Sequence, residues 1–351
     1  MSTIVKPTIP KKIFFLCDVS NEYNVFLFII FIIKKCVVTF IINEIIDKKE
    51  NKGLTTTMDL GLALPIIANI EVKDQLKIAI KAEELGFSSV WASDHIIIPS
   101  QWKGRFSDIF PDPFVMLTAI SQNTSKITIG TSAIILPYRN PIIVAKMLST
   151  LDHFCNGRLI CTIAPGWMKE EFNILGVNYE KRMEKTKEFA QVIKSLWEND
   201  PSSFKGEYYN FENVSFHPKP YQKKLEIWMG GNADAAIERA IDYADGWQPI
   251  WFSPDELSKK IQYLESYSQS KGTNIENYNI SLRNRVLITD EKKMGDNPET
   301  ALIGTKNEVF DKIKAYKNLK IKEVVLDFIS PNSEEIIETM ETIGKELIPE
   351  L

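Results

Sequence analysis

A parallel (β/α)8 barrel, an α/β fold, is what this sequence predicts, and three observations predict it. From Met58 onward, short apolar runs alternate with segments of helical spacing, eight times over. The runs are apolar throughout rather than alternating, as strands covered on both faces require. The 351 residues, 44% hydrophobic and 25% charged, suffice for one large barrel or two domains. A βα rhythm sustained over about 290 residues favours a closed barrel over a doubly wound sheet.

The elements follow in order. Asp59–Leu64 is strand-like, and Lys73–Leu85 has helical spacing that stops at Gly86, a C-terminal cap signal. Ser88–Ser93 (SSVWAS) is the second strand. After a long loop, Pro113–Ser121 starts a helix with proline in its first turn. Ile127–Leu136 is the strongly apolar third strand, with the helix Pro141–Leu151 after it. Arg158–Ala164 (RLICTIA) is the fourth strand. Arg182–Trp197 is a long helix with Met183, Phe189, Ile193, Leu196 and Trp197 on its apolar positions. Phe204–Pro220 (FKGEYYNFENVSFHPKP) alternates aromatics, with Gly206 and Asn213 at turns, and reads as an insertion hairpin before strand five. Glu226–Met229 is the fifth strand, Asp234–Tyr243 its helix and Gly246–Pro249 the sixth strand. Pro254–Ser270 is helical, Ile280–Thr289 the seventh strand, Lys306–Asn318 helical, Glu323–Phe328 the eighth strand, and Glu334–Glu346 the last helix.

Residues 1–57 differ from the rest. Val25–Ile33 (VFLFIIFII) is unbroken apolar sequence, Lys34 and Lys35 interrupt it, and Cys36–Ile42 resumes it. Neither half reaches the length of a spanning helix, and two lysines between them would each cost roughly 2.5–3.5 kcal/mol in a membrane centre. No small-residue cleavage site of a secretory signal follows. The expectation is an N-terminal extension, with an apolar segment over 25–46 and a polar linker over 47–57, that lies upstream of a natural start at Met58. A membrane anchor is the alternative. The second unit expected is the barrel domain, 58–351.

Composition excludes several classes. A formal net charge of −4 gives no reason to expect a nucleic-acid partner. The four cysteines, Cys17, Cys36, Cys155 and Cys161, form no CxxC and no His/Cys cluster, so no disulfide framework and no metal site is expected, and a reducing, cytoplasmic location fits.

The most informative stretch is Trp228–Trp247, WMGGNADAAIERAIDYADGW. An apolar strand end runs into Gly230, Gly231 and Asn232. A helix pattern begins at Ala233 and continues through Ala236, Ile237, Ala240 and Ile241. Glycines at a strand-to-helix turn let backbone N–H groups approach an anion, and the helix N-terminus adds unpaired donors and partial positive charge. That is a phosphate cradle without a lysine; an ordinary tight turn is the alternative.

Barrel chemistry sits at the C-terminal ends of the strands. Those ends carry Asp94 and His95, Gly130–Ala133, Ala164–Trp167, Gly230–Asn232, and Trp247–Pro249. Structural readings stand beside the functional ones. Asp94 reads as a hydrogen-bond acceptor more than a proton donor. His153 reads as structural, and nothing places His217 at the site. Trp91, Trp228 and Trp247 read as core, while Trp167 stands where a wall beside a cofactor would. Arg139 reads either as a contact for an anionic cofactor or as a solvated charge, and Glu170–Glu171 as the cap or solvated start of a helix.

Five ordered blocks carry a resemblance: AEELGFSSVWASDH (Ala82–His95), IGTSAIILPYRNP (Ile129–Pro141), LDHFCNGRLICTIAPGW (Leu151–Trp167), EEFNILG (Glu170–Gly176) and the Trp228–Trp247 stretch. From Met58 to about Ile348 the chain resembles the luciferase-like monooxygenase superfamily, which includes bacterial luciferase, alkane-sulfonate monooxygenase and deazaflavin-dependent oxidoreductases. The Ser-Asp-His signature is most similar to the branch that uses coenzyme F420, a deazaflavin. The resemblance implies that Gly230, Gly231, Asn232 and Ala233 cradle the cofactor phosphate. It implies that Ala164 and Gly166 lie beside the cofactor. It places Ser132 and Ala133 at a strand-three bulge that often holds a non-proline cis peptide, and Asp94 and His95 near the reacting centre, as the catalytic pair. A homodimer and a small-molecule substrate are implied with them. Deazaflavin-dependent sugar-phosphate dehydrogenases of this family carry a Glu just after strand four; Trp167 stands there in this chain, which argues for a less polar substrate. The loops at 96–112 and 175–181 and the insertion set the pocket, and IIIPSQWKGRFSDIF (Ile96–Phe110) suits a hydrophobic molecule.

Three functions follow from the resemblance. With F420 the expected chemistry is hydride transfer to or from a small apolar substrate. With FMN it is a two-component monooxygenase supplied by a flavin reductase. The third is a non-catalytic carrier of the cofactor.

Overall fold

Continuous apolar strands demand cover on both faces, and the chain meets that demand by closing its sheet. A computed structural model describes residues 58–276, 278–289, 300–330 and 332–351. The expectations for residues 1–57 lie outside the described residues.

The order of elements is β1 (Asp59–Ala63), α1 (Val72–Glu84), β2 (Ser89–Ala92), α2 (Pro113–Asn123), β3 (Thr128–Ile135), α3 (Pro141–Phe154) and β4 (Leu159–Ala164). Then come α4 (Lys169–Ile174), α5 (Arg182–Glu198), the hairpin β5 (Ser202–Lys205) and β6 (Asn210–Val214), β7 (Ile227–Gly230), α6 (Asp234–Tyr243) and β8 (Gly246–Gln248). The chain finishes through α7 (Pro254–Lys271), β9 (Asn279–Ile288), β10 (Leu302–Gly304), α8 (Lys306–Ala315), β11 (Glu323–Phe328) and α9 (Ser333–Thr342).

The parallel order β1-β2-β3-β4-β7-β8-β9-β11 returns to β1 through the register Asp59↔Glu323 to Ala63↔Asp327, which closes an eight-stranded barrel. All eight strands read from the sequence are in it. The insertion is the expected antiparallel hairpin, with Lys205 opposite Asn210 and Gly206 in the turn. Asn213 is not at a turn: it lies inside β6 with φ 54, in a hairpin whose register shifts. One strand went unread, and one helix was read only as a start at Glu170–Glu171. β10 is a short ninth strand beside the far end of β9, and α4 is a helix of 6 residues, too short for a periodic signal.

Start signals explain where helices begin. Asp112 and Asn140 cap α2 and α3 through their side chains, each followed by proline. Ser253 and Thr305 form capping boxes with Glu256 and Glu308 at α7 and α8.

The barrel interior is packed, not hollow. Trp91 and Trp228 meet with ring centroids 5.6 Å apart, and Ala63, Ile160 and Val325 surround them. Gly130 makes room, since a Cβ there would fall 2.3 Å from the Trp91 ring. Toward the N-terminal end, the buried Glu323 carboxyl accepts from Ser89 and Ser281 hydroxyls, and burial pushes it up. Toward the C-terminal end the inward positions become polar, and that end holds the site.

Among the described residues, no helix is long and apolar enough to cross a membrane, and no cluster of metal-ligating side chains occurs.

Candidate active site

His95 follows β2, and a buried acid orients it. Glu171, in the first turn of α4, accepts from His95 Nδ1 at 2.7 Å and from the Tyr138 hydroxyl at 3.0 Å through Oε2. Its Oε1 accepts from the backbone N–H of Ile96 at 2.7 Å and of Ile97 at 3.2 Å. Burial raises the Glu171 carboxyl, but the His95 hydrogen bond and charge and the two N–H donors outweigh it, so Glu171 sits below the usual carboxylate range. An ionised carboxylate only accepts, so Nδ1 carries a proton toward Glu171, and Nε2 is the nitrogen left to give or take one. The Tyr138 phenol is pushed well up by burial, then by the Glu171 charge, so it stays a donor.

Aromatic side chains wall the histidine. Phe110 meets its ring edge-on at 5.2 Å, Phe106 lies at 5.4 Å, and Trp167 stands perpendicular at 6.3 Å. Trp102 packs against Trp167 at 5.0 Å. Trp167 is 49% exposed, so one side of this box opens outward. Nε2 of His95 has no hydrogen-bond partner among the described residues.

Asp94 does different work. Its buried carboxylate takes Arg139 Nη1 at 2.5 Å, Arg139 Nη2 at 2.9 Å and the Ile135 N–H at 2.9 Å. Both oxygens are committed, so Asp94 ties β3 to the loop that presents His95. Arg139, left between two readings, is the other half of that tie and also reaches Asp112 at 3.4 Å. The reading of Glu170–Glu171 as a solvated helix start needs correction: Glu170 is half-exposed and holds Gln101, but Glu171 is fully buried beneath His95.

A second region lies across the barrel mouth. The Ser132–Ala133 peptide is cis, at the bulge where the β3–β4 register shifts between Thr131 and Ile134. The Ser132 carbonyl accepts from Arg283 Nη1 at 3.0 Å; the same nitrogen donates to Ser93 Oγ at 2.6 Å, and Nη2 pairs with Asp327 at 3.0 Å. Arg283 thus supports the bulge from inside. It went unread, although a charge inside the run NISLRNRVLI was a signal. A Cβ on Gly230 would lie 3.5 Å from Ala133 Cβ and 3.6 Å from Ala164 Cβ, so these three small residues form one shelf. Gly166, at φ 79, is demanded by packing: a Cβ there would fall 2.6 Å from Ile135 and 2.9 Å from Phe172.

The glycine turn borders that shelf. Gly231 has φ 129, a conformation L side chains avoid. Ala233 is the N-cap of α6 and offers no side-chain acceptor, so the helix N–H donors are uncapped by any side chain. The turn is braced from β8. Trp247 Nε1 donates to Gly231 O at 2.8 Å, and the Asn232 amide exchanges hydrogen bonds with the Ile250 backbone at 2.8 and 2.9 Å. Asn232 can therefore offer an anion only its backbone. Lys260 neutralises Asp234 at the helix start, at 2.7 Å. These features fit a phosphate group.

The other histidines stand apart. His153 meets the Lys219 carbonyl at 2.9 Å, and the exposed His217 pairs with Asp200. A cavity of about 470 Å³ lined by Trp197, Tyr221 and Asp245 opens at the N-terminal ends of β7 and β8, away from this chemistry.

A parallel barrel whose C-terminal mouth holds an oriented histidine beside a glycine turn and an uncapped helix N-terminus has the architecture of a cofactor-dependent enzyme. The chain belongs to the luciferase-like monooxygenase family, whose profile matches residues 54–294. Its relatives divide between two cofactors. It is 30% identical over 179 residues to the F420-dependent glucose-6-phosphate dehydrogenase of Amycolatopsis mediterranei, a match spanning 50% of this chain and 52% of that protein. It is 32% identical over 137 residues to the FMNH(2)-dependent dimethylsulfone monooxygenase of Pseudomonas putida, 38% of each chain. The fold superposes on an F420-dependent secondary alcohol dehydrogenase with a TM-score of 0.72 at 21% identity, over 84% of this chain and 98% of the other. The monooxygenase RslO1 from Streptomyces bottropensis gives the same TM-score at 17% identity, over 84% and 99%.

Proposed function

We propose that this protein is an F420-dependent oxidoreductase that transfers hydride between the deazaflavin and a small, largely apolar organic molecule. The observation that carries the reading is His95, proton-bearing at Nδ1 toward Glu171 and open at Nε2 inside an aromatic box. When bound, the deazaflavin supplies or accepts the hydride. The chain's residues do the rest. The backbone N–H groups of Gly231–Ala233 and the α6 N-terminus hold the phosphate, and the shelf of Ala133, Ala164 and Gly230 leaves room for a flat ring. His95 Nε2 takes or gives the proton at the substrate atom, while ionised Glu171 stabilises the imidazolium that results. Phe106 and Phe110 keep water from the closed side of that exchange, and Trp167 stands at its open edge.

An FMN-dependent two-component monooxygenase, supplied by a separate reductase, is the second reading; similarity to the dimethylsulfone monooxygenase favours it. A homodimer in the cytoplasm belongs to either reading. The deciding experiment is side-by-side anaerobic titration of purified protein with F420 and FMN, followed by absorbance and fluorescence quenching. Tighter F420 binding and turnover without oxygen consumption are expected. Tighter FMN binding with oxygen-dependent turnover would sink the deazaflavin reading. Binding without turnover of any substrate tried would leave the carrier.

A further inference from the structure

Beyond His95 and the glycine turn, the barrel mouth holds a second polar group that nothing above uses. On β9 the inward positions follow every second residue: Ser281, then Arg283, then Arg285 at the top. Arg283 is saturated by Ser93, Ser132 and Asp327. Arg285 is not. Its guanidinium lies 4.0 Å over the Trp251 ring, a residue held at φ 58 just after β8, and it forms no ion pair and no side-chain hydrogen bond among the described residues. Its Nε is buried without an acceptor, and so is the Nε1 of Trp251 beneath it. The Oδ1 of Asp327, across the strand, is likewise buried without a donor; the two Nη groups of Arg285 also lack an acceptor and, unlike Nε, are not fully buried, so they are the donors open to a ligand.

The surrounding charge has the same sign. Asp327 is the cross-strand partner of Arg285; its Oδ2 is taken by Arg283 at 3.0 Å, and its Oδ1 makes no hydrogen bond to Arg285. Burial first, then the charges of Arg105 and Arg283, hold the Arg285 guanidinium below its ordinary value, against Asp327. Three arginines thus face one carboxylate at the mouth. Arg105 stacks 5.3 Å over Trp102, in the same loop as Phe106, so the aromatic box around His95 and the cationic group share one wall.

We infer that Arg285, stacked on Trp251 and seconded by Arg105, binds an oxyanion carried by the substrate: a carboxylate or sulfonate on an otherwise apolar body whose reacting end lies in the His95 box. The inference rests on the function proposed above and names its substrate class. The cofactor phosphate has its own cradle at Gly231–Ala233, which leaves this second anion site to the substrate. A guanidinium fixed flat by an indole presents its planar fork to an oxyanion in one orientation, a geometry that lysine lacks.

The test uses the full chain and two aromatic probes of similar shape, benzenesulfonate and the neutral methyl phenyl sulfone, titrated by tryptophan fluorescence at constant low ionic strength. Benzenesulfonate is expected to bind about tenfold or more tightly than the sulfone. Arg285→Gln is expected to abolish that preference and to leave FMN and F420 affinity within about threefold. Equal binding of the two probes overturns the inference. So does a folded Arg285→Gln that keeps the preference, and so does a loss of about tenfold in cofactor affinity in that variant, which would assign the anion to the cofactor. Arg285→Lys serves if the glutamine variant does not fold: sulfonate binding weakened by about threefold or more supports the site, and unchanged binding overturns it. Failure of the wild type to bind either cofactor is read in its own titration and counts against the proposed function, not against the anion preference.

Discussion

His95 and Glu171 act as a unit, and each residue's substitution reads a different part of it. His95→Ala should leave cofactor affinity within a few-fold, because the turn and shelf lie on β3, β4 and β7. Turnover should fall by about 10²–10⁴-fold in anaerobic single-turnover assays. Glu171→Gln removes the charge that fixes Nδ1 as donor, so it should lower turnover in the same direction with little change in cofactor affinity. Full activity in both variants would remove this pair from the chemistry. The acid also makes stability pH-dependent. Its carboxyl lies below the usual range in the fold, so its contribution is complete above the unfolded value of about 4.3 and is lost as pH falls through the folded value. The difference in Tm between wild type and Glu171→Gln should therefore shrink on going from pH 7 to pH 3. A difference that stays constant would mean that Glu171 is not held ionised by His95. The histidine was legible in the sequence because it ends a barrel strand. Its partner was not: Glu171 stands beside Glu170 at a helix start, and which of two adjacent acids is solvated depends on what packs above them.

At the scale of elements, the β7–α6 turn carries the cofactor reading. Gly231→Val should raise the dissociation constant for the cofactor by about tenfold or more, measured by fluorescence quenching. The structure adds a cost in stability: φ is 129 there and a Cβ would lie 3.0 Å from Ala236. That strain is of order 1–3 kcal/mol, so affinity must be compared in protein verified as folded. Unchanged affinity in a folded variant would move the phosphate elsewhere. The turn itself was readable, because two glycines between an apolar strand and a helical pattern carry local information. The role of Asn232 was not readable. Its side chain spans to the Ile250 backbone, 18 residues on, and only the adjacency of β7 and β8 brings them together.

For the whole molecule, closure of the barrel sets what is dispensable. β1 is gripped between β11 and β2, and Met58 immediately before it is buried. We expect residues Met58–Leu351 expressed alone to be soluble and to bind cofactor as the full chain does. An insoluble fragment, or one that loses binding retained by the full chain, would show that the first 57 residues take part in the fold.

What the sequence determined by itself was whatever has a local period or a local signature. Apolar runs, helical spacing, capping residues and the paired glycines each act over a few residues, and together they specify eight strands, their order and the turn between β7 and α6. The resemblance supplied the bulge at Ser132–Ala133 by position. The tertiary structure alone decided which side chains meet across the mouth. Glu171 reaches His95 over a separation of 76 residues, and Arg283 reaches Ser132 over 151. Such pairings have no period along the chain. They arise because a closed barrel brings inward-facing residues of distant strands into one layer, where low solvent access favours pairing between polar groups.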